Sequence, residues 1–327
     1  MQHFGIPRIG KDTIFQAIEK HAQDRGFHPV RAHLDGLVWD GQNRIDGWLV
    51  TYLGAKPSHV TDAIGEMFLI MMVARIFQPG CQADYMLVLE GKQGTQKSTA
   101  CKIIGGDHFS DAMPDVRLGK EASNHIRGKW VIEIPELSSI KGADDRALKA
   151  FISRTIEEYR PAYGRLEVSE PRQCVFIGTT NESVYLRDAT GARRYWPVET
   201  GNIDLEGLAR DRDQLFAEAV HAYRAGIAWW PDRDFEREHL KPIQEARYEA
   251  DPWEEPIAAF VADKMTVMVK EIARGALEIT ADRLGTKENR RITDILERLH
   301  WKRSEKKRDG YNPWIRQHSR PNLALVA

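Results

Sequence analysis

The stretch Leu87–Thr99, LVLEGKQGTQKST, decides how this chain folds. Met86-Leu87-Val88-Leu89 is a short unbroken apolar run and reads as a buried strand. It passes into a loop with Gly91 and Gly94, then into Lys97-Ser98-Thr99, which opens a helical pattern. That order is the arrangement of a phosphate-binding loop. Backbone N–H groups cradle phosphates, the lysine reaches the β and γ oxygens, and the hydroxyl after it holds Mg²⁺. The helix N-terminus adds favourable partial charge for an anion. Gly91, Lys97 and Ser98 keep the usual spacing, but Gln96 stands where a glycine normally precedes the lysine. This removes the easy left-handed turn there, so a differently shaped loop is expected. The plainer alternative is a strand–turn–helix junction with an exposed lysine.

Working outward, residues 83–198 alternate strand and helix, which argues for a parallel α/β unit. Strands are predicted at Tyr85–Glu90, Trp130–Ile134 and Gln173–Thr179, with helices at Lys97–Ile104, Glu121–Ile126 and Asp145–Thr155. A ligand of such a sheet gathers at the carboxyl ends of its strands. Residues 1–82 read as a helical subdomain, with helices at Asp12–Arg25, Asp46–Leu53 and Val60–Phe77 and a break at Phe27–Val30. Trp39 and Trp48 are expected to be packing residues. Leu205–Ala225 reads as another amphipathic helix, and Tyr248–Pro256, acidic and proline-punctuated, as a hinge. The expected division is a core domain over 83–250 and a C-terminal domain over 251–327. In the latter, helices Pro256–Lys264, Val269–Ala276 and Arg290–Leu299 precede strands Trp301–Glu305 and Tyr311–Arg316 around the hairpin Lys307–Gly310. Helices followed by a hairpin give the order of a winged helix.

The formal net charge of −1 conceals a basic tail: Lys264 to Arg320 holds 15 Lys/Arg against 8 Asp/Glu. Such a segment suits a polyanion, although a solvated charged face produces the same pattern. Arg290, Arg291, Lys302, Arg303, Lys306, Lys307 and Arg308 fall on the expected third helix and wing. The three cysteines, Cys81, Cys101 and Cys174, are too scattered for a disulfide framework or a metal spacing. Cys101 and Cys174 are expected in the core. No apolar run reaches 18 residues and the N-terminus lacks a signal-peptide pattern, so a protein of the reducing cytoplasm with no membrane partner is expected.

Triphosphate cleavage also needs a carboxylate near the metal and positive charge for the transition state. The strand before Glu136, KWVIEIPE, offers Glu133 and Glu136 near its end. One would hold the metal and the other polarise the attacking water, in an order the residues leave open. The strand before Asn181 ends in polar residues, and an amide there can orient water, although an isolated Asn more often caps a turn. Arg193 and Arg194 sit on a loop with Gly191 and suit a phosphate from the same or a neighbouring subunit. Tyr159–Val168 reads as a hairpin with Arg160, Tyr163 and Arg165 near its tip, a combination suited to a nucleic-acid strand. Lys149 and Arg154 on the preceding helix are expected to face the same channel.

The ordered segments LEGKQGTQKST, WVIEIPEL, LKAFISRTIEEYRPAYGR, CVFIGTTN and TGARRYWPV resemble the virulence-associated protein E family, as do WDGQNRIDGWL and ARIFQPGCQADY upstream. The resemblance runs from about Phe27 to Val198. That family consists of AAA+-like ATPases similar to superfamily III replicative helicases of phages, plasmids and pathogenicity islands. The resemblance implies a P-loop NTPase core and ATP hydrolysis with Mg²⁺, coupled to movement on DNA during replication of a mobile element. It places Gly91, Gly94, Thr95, Gln96, Lys97, Ser98 and Thr99 at the nucleotide, Ser98 and Glu133 at the metal, and Glu133 and Glu136 on the acidic strand. Asn181 takes the sensor position, Arg193 or Arg194 that of an arginine finger, and the hairpin around Arg165 that of a DNA contact. It also implies a homo-oligomer, a hexameric ring among the expected forms. Many relatives carry an N-terminal primase domain, so a separate primase is an expected partner. The alternative is an ATP-switched DNA-binding initiator or regulator without unwinding. A metabolic P-loop kinase would leave the basic tail unexplained.

Overall fold

The computed structural model describes residues 10–24, 26–140, 143–161, 167–186, 192–305 and 312–316. The chain divides into two compact units: residues 1–183 with 193–244, and residues 184–192 with 245–327.

The first unit begins with α1 (Lys11–Asp24), α2 (Pro29–Gly36), α3 (Trp48–Leu53) and α4 (His59–Phe77). The stretch around Pro29, read from sequence as a break, instead starts α2. Proline occupies the first turn, where its missing N–H costs nothing, and His28 Nδ1 accepts the Arg31 N–H at 3.1 Å as the cap. Nearly every residue of α4 from Ile64 to Ile76 is buried, so this helix is a core element. Among the described residues no helix is long and apolar enough to cross a membrane. Trp48 is buried, and Trp39 lies 4.7 Å from the His221 ring.

Next come β1 (Met86–Glu90), α5 (Lys97–Gly105), β2 (Phe109–Ser110), α6 (Lys120–His125), β3 (Val131–Ile134) and α7 (Ala143–Ile152). They are followed by β4 (Ile156–Tyr159), β5 (Val168–Pro171), β6 (Val175–Thr180), β7 (Tyr195–Glu199) and α8 (Leu205–Arg224). Among the described residues five strands form one parallel sheet in the order β2-β3-β6-β1-β7. Leu87, Leu89, Val131, Val175, Ile177, Trp196 and Val198 join one hydrophobic core with residues of α2–α5 and α8. Phe176, from the alternate set, meets Phe151 of α7 with ring centres 5.9 Å apart. Helices therefore cover both faces, which is why β1, β3 and β6 are continuous apolar runs rather than alternating ones.

Two strands of this parallel sheet went unread in the sequence. β2 is two residues long, and β7 contains Pro197, which pairs with Val88. Proline is tolerated there because β7 is an edge strand with β1 as its neighbour. β4 and β5 form an antiparallel hairpin whose tip, with Arg165, lies outside the described residues. Under it, Arg172 pairs with Glu157, which also accepts the Ser123 hydroxyl, and buried Arg75 donates to the Arg172 and Arg154 carbonyls. Cys81, Cys101 and Cys174 are all buried and free. The unit ends with α9 (Arg233–Phe235), a π-helical turn at Glu236–Leu240, and α10 (Lys241–Glu245).

The second unit contains α11 (Glu254–Val261), β8 (Thr266–Val267), α12 (Val269–Ala276), α13 (Thr286–Arg298), β9 (Trp301–Arg303) and β10 (Trp314–Arg316). Its antiparallel sheet has the order β8-β10-β9. Ile257, Val267, Ile272, Ile292, Leu296, Trp301 and Trp314 form its core.

Candidate functional site

The carboxyl ends of β1, β6 and β7 meet at the loop after Glu90. Gly91 N–H donates to the Thr180 carbonyl at 3.2 Å, while Thr200 donates through its N–H and its hydroxyl to the Glu90 carbonyl. A Cβ on Gly91 would lie 2.7 Å from Thr200 Oγ1, so the close approach requires glycine. The loop turns left-handed at Gly94 (φ 82°) and again at Gln96 (φ 66°, ψ 24°). The expectation of a differently shaped turn at Gln96 is therefore corrected: the backbone takes the glycine-like conformation despite the side chain. For an L-residue that costs roughly 1–2 kcal/mol, offset by the packing of α5 behind it through buried Ala100, Cys101 and Ile104.

Lys97 opens α5 and is only 7% exposed. Its Nζ donates to the carbonyls of Gly91 (2.8 Å) and Lys92 (2.9 Å) and to Asn181 Oδ1 (3.1 Å), with Thr95 Oγ1 at 3.4 Å. Burial pushes its pKa down, against the opposing pull of Glu133. The first-turn N–H groups of α5 have no intrahelical acceptor and remain available to anionic oxygens. Thr99 is exposed in that turn.

Ser98 Oγ donates to Glu133 Oε1 at 2.6 Å, and Thr179 Oγ1 donates to the same oxygen at 2.7 Å. Glu133 is fully buried, and its second oxygen, Oε2, is buried with no hydrogen-bond partner. An orphaned buried carboxylate oxygen calls for an explanation. A carboxylate and a hydroxyl, both hard oxygen donors, fit Mg²⁺, which usually takes one or two protein carboxylates together with phosphate oxygens. Among the described residues no group of three or more His, Cys, Asp or Glu forms a metal centre of its own.

The structure thus brings together Gly91, Thr95, Lys97, Ser98, Glu133 and Asn181, from three strand ends and one helix start. Among the described hydrogen bonds none joins Glu136 to this cluster. It lies past Pro135 with left-handed backbone (φ 48°) and an exposed side chain. Thr179 was missed as a site residue. Its signal was a hydroxyl at the point where an apolar strand becomes polar.

Arg193 and Arg194 form a turn just before β7, and Tyr195 pairs with Met86 at the start of β1. They lie at the sheet end opposite the loop, the length of β1 away, roughly 16 Å at about 3.3 Å per residue. Arg193 is exposed, whereas Arg194 Nε donates to Ser153 Oγ at 2.8 Å. Arg160 is exposed after β4. Lys149 does not face a channel: it is 5% exposed and ion-paired with Asp145 at 2.7 Å. Arg154 is half exposed, stacked on Phe151 near Glu157.

On α13, Arg290 is exposed. Arg291, expected at nucleic acid, is instead engaged within its own unit. It makes two 2.7 Å hydrogen bonds to Asp251 and lies 3.9 Å over the Trp253 ring. Lys302 and Arg303 are exposed on β9, and Lys306, Lys307 and Arg308 lie outside the described residues.

The profile of the virulence-associated protein E-like domain matches residues 34–249. The C-terminal region of NrS-1, in its apo form, aligns at 15% identity over 86% of this chain and 77% of that one, with a TM-score of 0.46. A mutant RuvB of Thermotoga maritima aligns at 13% identity over 77% of this chain and 91% of that one, with a TM-score of 0.29. No curated protein matches the chain.

Proposed function

Because the chain belongs to the virulence-associated protein E-like family, and because a lysine, a hydroxyl and a buried carboxylate converge on one loop, we propose that it is an ATP-dependent DNA helicase or replication-initiation ATPase of a phage or other mobile element. The observation that carries the reading is Glu133: a buried carboxylate tied to Ser98 with one oxygen unpaired, at the start of α5.

Bound Mg-ATP supplies the anhydride to be cleaved and a cation that neutralises its terminal oxygens. Lys97 exchanges its carbonyl contacts for the β and γ oxygens, and the α5 amides face the phosphates. Ser98 and Glu133 would hold the metal. Asn181, released from Lys97, orients the attacking water. Glu136, exposed at the end of β3, is the carboxylate left to polarise that water. Gly94, Gln96 and Thr99 shape or line the phosphate cradle.

Arg193 and Arg194, at the far end of β1, are too distant to serve their own loop. They fit the nucleotide of a neighbouring copy, which makes a homo-oligomeric ring the natural assembly, six subunits being one such form. Residues 83–250 are assigned to ATP turnover, with 1–82 as the helical subdomain that buttresses them, and 251–327 to DNA. The helix–strand–helix–helix–strand–strand order of the second unit supports a winged helix, with Arg290, Lys302 and Arg303 exposed; Lys306, Lys307 and Arg308, outside the described residues, are assigned to DNA with them. Arg160, which follows β4, and Arg165, outside the described residues, are assigned to the DNA strand. A primase acting alongside would complete the replication reading. A second reading, an ATP-switched DNA binder without unwinding, is favoured by the exposed side chain and left-handed backbone (φ 48°) of Glu136.

DNA-stimulated ATP hydrolysis by the full chain tests the proposal. Lys97→Ala should abolish turnover, and retained turnover rejects the assignment. Unwinding of a forked duplex separates the two readings: efficient strand separation excludes the switch.

A further inference from the structure

Two hydroxyls converge on one oxygen of Glu133, and they come from different elements. Ser98 belongs to the phosphate loop, whereas Thr179 belongs to β6 and pairs in register with Leu89. Thr179 is 5% exposed, on a strand that lies between β3 and β1 in the sheet order. An ionised carboxylate accepts hydrogen bonds and donates none, and each oxygen offers about two lone-pair sites. Ser98 and Thr179 therefore fill the capacity of Oε1, while Oε2 stays buried and unpaired. The carboxylate is held in one orientation with one oxygen committed and the other bare.

The two donors are not equivalent. Ser98 lies in the exposed first turn of α5 and would also face the metal. Thr179 lies inside the sheet, where its hydroxyl is directed at Glu133 alone among the hydrogen bonds described for it. From this asymmetry we infer that Thr179 is the positioning residue of the magnesium site. Its hydroxyl holds Glu133 so that Oε2 is presented to the cation whether or not Ser98 is engaged with it. This inference rests on the nucleotide-site reading above and adds a residue to it. Hydrogen-bond partners of metal ligands commonly set about 10–100-fold in metal affinity, because they fix ligand orientation before the ion arrives. Thr179 touches neither phosphate nor water in this account, so its loss should affect the cation and leave the nucleotide's own affinity intact.

The test is a binding measurement, independent of turnover. Affinity of the full chain for a fluorescent non-hydrolysable ATP analogue is measured with saturating Mg²⁺ and again with EDTA. The ratio of the two is the gain due to the metal. Thr179→Val keeps the side-chain shape and removes the hydroxyl; it should cut that gain by about 10–100-fold and change the EDTA affinity less than twofold. Thr179→Ser, which restores the hydroxyl, should recover the wild-type gain. A Thr179→Val protein with the full gain overturns the inference. So does one whose EDTA affinity falls in parallel, since that marks a general packing role. If the wild-type chain binds the analogue in neither condition, the nucleotide-site reading itself falls and this inference falls with it. If the wild type binds and only the variant comparison fails, Thr179 alone is rejected.

Discussion

Replacing Glu133 by Gln tests whether the buried carboxylate exists for the fold or for a cation. The side chain keeps its size and loses its charge. Two effects oppose each other in the nucleotide-free protein. Ser98 and Thr179 each exchange a charged acceptor for a neutral one, a loss of about 1 kcal/mol apiece. Against this, a fully buried carboxylate with an unpaired oxygen carries a desolvation penalty of several kcal/mol, which nearby Lys97 offsets in part. The balance favours the amide by about 1 kcal/mol, which raises the unfolding temperature by about 2–4 °C for a unit of this size. With ATP at one hundred times its dissociation constant, ligand linkage adds about 2.7 kcal/mol to the wild type, or about 5–11 °C. Thermal unfolding with and without Mg-ATP reads both quantities. The variant should begin slightly higher and gain almost nothing from Mg-ATP. A variant that starts several degrees lower makes Glu133 a structural group. One that keeps the wild-type Mg-ATP increment removes it from the metal site.

Other expectations follow from the same geometry. Gln96→Gly relieves the left-handed strain of roughly 1–2 kcal/mol but adds chain entropy worth about 0.5–1 kcal/mol; a rise in unfolding temperature of about 1–4 °C is expected, and a fall would give the glutamine side chain a role of its own. Lys97→Ala subunits mixed equally with Arg193→Ala/Arg194→Ala subunits should regain activity, since about a quarter of random head-to-tail interfaces are intact; a mixture as inactive as its components refutes the arginine acting between copies. Arg290→Ala should weaken DNA binding and lower the salt slope by about 1, as measured by anisotropy across a salt series, whereas Arg291→Ala should leave that slope unchanged and instead destabilise the second unit. For Asp251, burial pushes the carboxyl up, but the Arg291 guanidinium and the Trp253 N–H outweigh it and hold the value below the ordinary one. A depressed folded value means that this stabilisation is complete above about pH 4 and is lost as pH falls through the lower folded value. The Arg291→Ala penalty, at most about 1 kcal/mol for so partly exposed a pair, should therefore be present at pH 7 and vanish in acid; a penalty that persists in acid assigns it to stacking on Trp253.

The strands β1, β3 and β6 were legible because burial on both faces leaves an unbroken apolar run, a local signal. The start of α5 was legible because lysine and hydroxyl follow glycines at fixed spacing. What stayed hidden depended on how each residue is placed and partnered in the fold. β7, which carries Pro197 and lies at the sheet edge, was not read as a strand, and Pro29 looked like a break until its place in a first turn was known. Lys149 and Arg291 looked like surface cations. Their partners, Asp145 and Asp251, are four residues away in one case and forty in the other, and composition cannot say that a charge is already spoken for. Thr179 was passed over for a related reason: its hydroxyl stands where the strand turns polar, but it acquires meaning only from the carboxylate on the strand beside it.

The two margins of the parallel sheet are blunt. One ends in a strand of two residues and the other in a strand interrupted by Pro197. An open margin with a full row of donors and acceptors is a template for fibrils and swapped strands. Here a newcomer would find too short a rail on one side and a missing donor on the other. Copies of this chain that associated would then have little to gain from pairing along the margins of this sheet.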